Sequence, residues 1–201
     1  MIFERIIVGG YEMNCYVLSG DGKECIIVDP GFEKPRIERI IAEQRLEPRV
    51  IINTHGHADH IGTNAAWGLP VWIGEGDADF LTDPERNLSV LFAAAVMSPP
   101  AARLLTDGEE CSLCGLTFTV LYTPGHTPGG ICLDFGDFII TGDTLFRGSV
   151  GRTDFPNGDG RAIIRSIKEK LMTHDDRVLI YPGHGPESTI GYERKHNFFL
   201  R

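Results

Sequence analysis

Apolar positions along this chain fall in short blocks separated by turn residues. The segments "IFERIIVG", "NCYVLSG" and "ECIIVDPG" are brief runs rich in β-branched and aromatic residues, which predicts strands, and "SGDGKE" between the last two is a hairpin signal. In "EKPRIERIIAEQ" the period lengthens, and Ile37, Ile40 and Ile41 share one face of a helix. "PRVIINTH" and "LPVWIGEG" are further strands, the second followed by a helix near "GDADFL". Between residues 82 and 105 the pattern weakens. It predicts a helix through Leu91, Ala95 and Val96 that Pro99 and Pro100 interrupt. Strands resume in "LTFTVLYTPGH", "GICLDFG" and "DFIITGD". A Gly-rich loop, "LFRGSVGRTDFPNGDG", leads to the helix "RAIIRSIKEKLM", the strand "RVLIYPGHG" and a helical tail, "ESTIGYERKHNFFL".

Strands therefore arrive in two batches, each finished by helices. That order predicts an α/β protein: two sheets face to face with helices outside. The 201 residues suffice for one domain spanning 1–201, and no linker-like or charge-block segment divides them.

Composition narrows the function. A formal charge of −9 argues against a nucleic-acid partner, whose footprint is a basic face. "MIFERIIVGG" has no apolar h-region, so no signal peptide is expected. The most apolar run, "LSVLFAAAVM", is about half the roughly 20 residues a membrane span requires. The five cysteines are an odd number, which disfavours a disulfide framework and makes a cytoplasmic location the expectation. Cys111 and Cys114 form a C-x-x-C with no second copy and are read as part of a hairpin; Cys15, Cys25 and Cys132 are read as small core residues. Phe92 and Met97 are assigned to helix packing rather than to a substrate wall.

The candidate chemistry lies in "NTHGHADHIG". His55 and His57 end a strand two residues apart, where extended backbone would send them to opposite faces; Gly56 lets the chain bend so that they converge. Asp59 and His60 follow at the start of a helix. His126 in "TPGHTPGG", Asp143 in "TGDTLF" and His184 in "YPGHG" each follow a strand beside glycine, whereas His174 and His196 do not. These nitrogen and oxygen donors suit zinc or iron, with manganese also accepted. A single His beside Gly is usually only a polar loop residue, but seven such positions recurring together point to a metal centre.

"THGHADH", followed in order by His126, Asp143 and His184, resembles the metallo-β-lactamase superfamily over nearly the whole chain. The resemblance implies a four-layer αβ/βα sandwich with two divalent metal ions, zinc foremost, at one edge of two mixed sheets. His55, His57 and His126 would hold one ion; Asp59, His60 and His184 the other; Asp143 would bridge them. A water shared by two such cations becomes a nucleophile near neutral pH, with Asp59 and Asp143 the catalytic carboxylates around that bridging hydroxide. The cations outweigh these two carboxylates, so the site could receive a small anion inside an acidic protein.

"GDTLFRGSVGRTDFPNGD" and the tail "STIGYERKHNFFL" are similar to the compact hydrolases of the glyoxalase II branch. By that resemblance the substrate is a small anionic thioester such as S-lactoylglutathione, and Arg152 binds the carrier's carboxylate, with Arg147 a weaker second candidate. A tyrosine of the family pattern is Asp154 here, proline of the tail is Phe198, and the family's C-terminal helical glutathione domain is not expected. Persulfide dioxygenases share "GRTDF" and "HADH"; in that alternative one iron would sit on His55, His126 and Asp143. The oligomeric state stays open.

Overall fold

The computed structural model describes residues 1–91 and 95–201. Its central strands are largely buried because they are covered on both faces. In β2 (Met13–Ser19), Tyr16 and Leu18 point one way and Cys15 and Val17 the other. The same alternation divides β3 (Glu24–Val28) and β4 (Glu47–Asn53). Together with β1 (Ile2–Val8), β5 (Val71–Gly74) and β6 (Arg103–Leu105) they form a six-stranded sheet in chain order, antiparallel from β1 to β3 and parallel from β3 to β6.

The second sheet runs β14 (Ser188–Thr189), β13 (Leu179–Pro182), β10 (Phe138–Gly142), β9 (Ile131–Asp134), β8 (Leu116–Tyr122), β7 (Glu110–Leu113). Only β10 and β13 pair in parallel, so this sheet is mixed as well. A hairpin of β11 (Leu145–Phe146) and β12 (Ser149–Val150) stands apart.

Three apolar clusters define four layers. Tyr16, Ile26 and Ile52 meet Phe118, Leu133 and Ile140 between the sheets. Ile37 and Ile41 of α1 (Lys34–Glu43) pack on Val17, Ile27 and Ile51 outside the first sheet. Ile163 of α4 (Gly160–Ser166) and Ile190 of α5 (Ile190–His196) cover Cys132, Ile139 and Ile180 outside the second. This is the four-layer αβ/βα sandwich that the resemblance implies. All five cysteines are buried and free. Burial raises each thiol pKa, that of Cys114 to about 11, so Cys111 and Cys114 are core residues like the others.

Three elements differ from expectation. "GDADFL" forms a 3₁₀ turn, Glu75–Leu81, rather than an α-helix. The helix through Leu91, Ala95 and Val96 is replaced by a short 3₁₀ turn, Ser89–Leu91, and irregular backbone from Ala95. Side chains cause this: Asn87 Nδ2 donates to Phe80 O and Val96 O (3.0 and 2.9 Å), and Ser89 Oγ accepts from Val96 N (2.9 Å), folding the segment back on itself. Phe92 lies outside the described residues, and Met97 is exposed on that irregular backbone, packed in no helix. The tail is divided: β14 adds to the sheet, α5 follows, and Phe198–Leu200 make a separate 3₁₀ turn. Among the described residues no helix is long and apolar enough to cross a membrane.

Candidate metal centre

Parallel directions put the carboxyl ends of β4, β8, β10 and β13 along one edge of the sandwich, where ligands collect in α/β folds. His55 and His57 follow β4. Asp59 and His60 sit on the single helical turn α2 (Ala58–Ile61). His126 lies in the β8–β9 loop, Asp143 after β10 and His184 after β13. The two sheets are tied directly here: Ile131 N donates to Thr54 O (2.8 Å) and Asn14 N to Gly183 O (2.7 Å). Loops from both sheets therefore share one frame.

All seven predicted residues come together. His55 Nε2 is 3.1 Å from His57 Nδ1, which is 2.9 Å from His126 Nε2. Asp143 stands between the two groups: Oδ2 is 3.5 Å from His126 Nε2 and 3.7 Å from His184 Nε2, while Oδ1 is 3.4 Å from His60 Nε2. Asp59 Oδ2 lies 3.3 Å from His184 Nε2. His174 and His196 are elsewhere, the former paired with Asp134 at 2.9 Å and the latter against the Tyr192 ring.

The hydrogen bonding fits cations. His126 Nδ1 donates to Arg152 O (2.8 Å) and His184 Nδ1 to Tyr11 O (3.0 Å), so both Nε2 lone pairs face inward. His57 Nδ1 carries at most one proton and cannot satisfy both nitrogens beside it. His60 Nε2 and Asp143 Oδ1 are buried without a hydrogen-bond partner. Polar atoms are not left in this state unless something else occupies the space between them. A cation on His55, His57 and His126, and another on Asp59, His60 and His184, with Asp143 offered to both, would account for these contacts.

Burial, followed by the neighbouring imidazoles, depresses the pKa of His55 and brings His57 down to about 3. Burial acts the same way on His60 and His184, yet there carboxylates outweigh it. Asp29, Asp143 and Asp59 raise His60 well above its ordinary value, and Asp59 and Asp143 raise His184. For Asp143, burial is overcome by His60, His126 and His184, and its carboxyl is held far below the usual range.

Supporting residues escaped the sequence reading. Asp29, buried at the end of β3, accepts from Thr54 N and Thr54 Oγ1 (2.8 and 2.6 Å) and stands 3.0 Å from His60 Nδ1. It follows a strand beside Pro and Gly, much as Asp143 does, and that pattern could have found it. The role given to Gly56 needs correcting. Its φ is not left-handed; a Cβ there would meet Phe80 Cβ at 2.3 Å, so the glycine serves close packing. Gly183 is tighter still, its absent Cβ lying 2.2 Å from Asp143 Oδ1.

Above the centre opens a cleft of about 560 Å³ walled by Tyr11, Leu88, Leu91, Phe146, Val150 and Phe155. Arg152 is on its rim. The guanidinium makes a two-pronged bond to Asp154 (both 2.7 Å) and lies 3.8 Å over the Phe155 ring. Arg147 does not line the cleft; it sits over Tyr192 and donates to Glu187 O at 3.4 Å.

Residues 8–184 match the metallo-β-lactamase superfamily model, and the chain belongs to that superfamily. It is 36% identical to the hydroxyacylglutathione hydrolase GloC of Haemophilus influenzae, with 100% of this chain and 98% of the relative covered. The crystal structure of the BLEG-1 B3 metallo-β-lactamase superposes with a TM-score of 0.93 at 35% identity, covering 99% of each chain. TTHA1623 in a di-iron-bound form superposes at 0.86 with 33% identity over 98% of this chain and 100% of that one. The chain is thus a member of a metallo-hydrolase superfamily, and its His/Asp cluster offers donor groups that could hold metal ions.

Proposed function

We infer that the protein hydrolyses a small anionic thioester of the S-2-hydroxyacylglutathione type, using a pair of divalent ions. The observation that carries this is the shared carboxylate. Asp143 faces both ligand groups beneath a cleft with apolar walls and a guanidinium at its rim. Likeness to GloC supports the thioester, and the di-iron form of TTHA1623 supports a pair of metals. Zinc is the first expectation; iron and manganese suit the same donors.

Bound divalent cations would acidify a water between them and polarise the thioester carbonyl. The chain's own residues do the rest. Asp143 and Asp59 supply negative charge on the cleft floor. His126 and His184 are held in the required tautomer by backbone carbonyls. The apolar walls exclude bulk water from the acyl group, and Arg152 is placed to meet a carboxylate of the carrier. Hydrolysis breaks the C–S bond, forms a C–O bond, and sends a proton to the departing thiolate. A thiolate leaves without prior protonation, which an amide nitrogen does not, so a thioester asks less of this site than the β-lactam ring suggested by BLEG-1.

Elemental analysis of the purified protein, paired with turnover assays, tests this. Two metals per chain and hydrolysis of S-lactoylglutathione are expected. One iron per chain with oxygen uptake on glutathione persulfide would replace the reading with a dioxygenase; turnover of a β-lactam alone would replace it with a lactamase.

A further inference from the structure

Asp77 is a carboxylate with no exposed surface, on the 3₁₀ turn Glu75–Leu81 that follows β5. Both of its oxygens are used, and each goes to a different ligand-bearing loop. Oδ2 accepts from Gly56 N at 2.9 Å; Oδ1 accepts from Gly129 N at 2.6 Å. Gly56 lies between His55 and His57, and Gly129 is three residues beyond His126. The turn is pressed onto both loops: a Cβ on Gly129 would stand 2.1 Å from Asp77 N, and one on Gly56 would strike Phe80. An ionised side chain is costly to bury, and these bonds come from backbone amides. An apolar residue could fill the space but would leave both amide N–H groups without an acceptor, so the carboxylate's contribution is the paired bond itself.

In the other half His60 is backed by Asp29, while His184, like His126, is backed by a backbone carbonyl. We propose that Asp77 is a positioning residue that fixes the spacing of His55, His57 and His126, clamping their two loops so that one cation site is preformed. It acts through those histidines and touches no metal or substrate. The proposal rests on the two-cation reading above.

The test is a titration of the metal-free full chain with Co²⁺ against a chromophoric chelator, following the cobalt d–d bands. Wild-type protein should bind two equivalents. In Asp77→Ala one equivalent should weaken about 10- to 100-fold, the usual cost of losing a partner behind a ligand, with its absorption band altered. The second should stay within about threefold. Asp77→Asn keeps one acceptor oxygen and should fall between the two. Failure of the wild type to bind two Co²⁺ would sink the two-cation reading. Two wild-type affinities in Asp77→Ala, or equal loss of both, would overturn the proposal alone. Should the alanine variant not fold, Asp77→Asn decides: selective weakening upholds the clamp, and two unchanged or equally weakened sites refute it.

Discussion

The two halves of the centre both present histidines but stand in opposite relation to the proton. On one side His55, His57 and His126 face each other with little surface exposed, and burial keeps the first two neutral. On the other, His60 and His184 are surrounded by Asp29, Asp59 and Asp143, and their pKa values are raised. The first half offers lone pairs that are ready for a cation. The second must shed protons before it can take one. A single fold edge thus carries one site set by geometry and one set by charge.

Asp143 belongs to both halves, so its loss removes the distinction between them. Asp143→Ala should lower thioester turnover on the order of 10³-fold, the scale on which a missing charge-stabilising group acts. Metal stoichiometry should fall while circular dichroism stays that of the folded chain. Wild-type turnover in a folded Asp143→Ala would refute the shared role.

Asp29 sharpens the comparison because His60, in the charged half, is the one ligand it meets directly, whereas it reaches His55 only through Thr54. Asp29→Asn should weaken one of two bound metals by about 10- to 100-fold and spare the other, the reciprocal of the effect expected from Asp77. Chelator competition on both variants reads it out. Loss of the same site in both would show that the halves are one cooperative unit.

The centre was easier to read in the sequence than its support was. Glycines, strand ends and metal-type donors recur together in "THGHADH", "TPGH", "TGD" and "YPGHG", and loops built to hold ions cannot hide those residue types. The sandwich was legible for a related reason: β2, β3 and β4 carry runs of apolar residues on both faces because helices cover one face and the other sheet covers the second. Asp29 carried a strand-end signal that went unread, but Asp77 was not legible as a support. An isolated acid in a loop has the same local signature whether it caps a helix, faces solvent or holds a distant backbone amide, and the partners of Asp77 lie 21 and 52 residues away. The helix expected through Leu91, Ala95 and Val96 was misread because, among the described residues, the bonds made by Asn87 and Ser89 override helix propensity.

Acid should separate the halves without mutation. A raised pKa means that His60 and His184 hold protons at a pH where His55 and His57, with His57 at about 3, hold none. Metal must displace those protons. Affinity of the second site should therefore decline first as pH falls from 7 to 5, by about tenfold per pH unit for each proton displaced, while His55 and His57 are already free of protons over that range. Stoichiometry measured by dialysis at stepped pH should pass through a plateau of one metal per chain. Loss of both metals in one step would erase the difference between the halves.

The smallest effect is expected at the cleft rim, outside both halves. Arg152 is held by Asp154 and stacked on Phe155, and both members of the ion pair are largely exposed. Part of the guanidinium's charge is therefore already answered before a substrate arrives. Arg152→Ala should raise KM for an anionic thioester only about two- to fivefold and leave kcat nearly unchanged, since exposed ion pairs are weak and the loss is one of uniform binding. Asp154→Asn frees the same guanidinium and should lower that KM by a similar factor. Neither variant should alter KM for a neutral thioester carrying the same acyl group. Parallel shifts for the charged and the neutral substrate would mean that the pair shapes the rim sterically, and Arg152 would then have no part in recognising the carrier's charge.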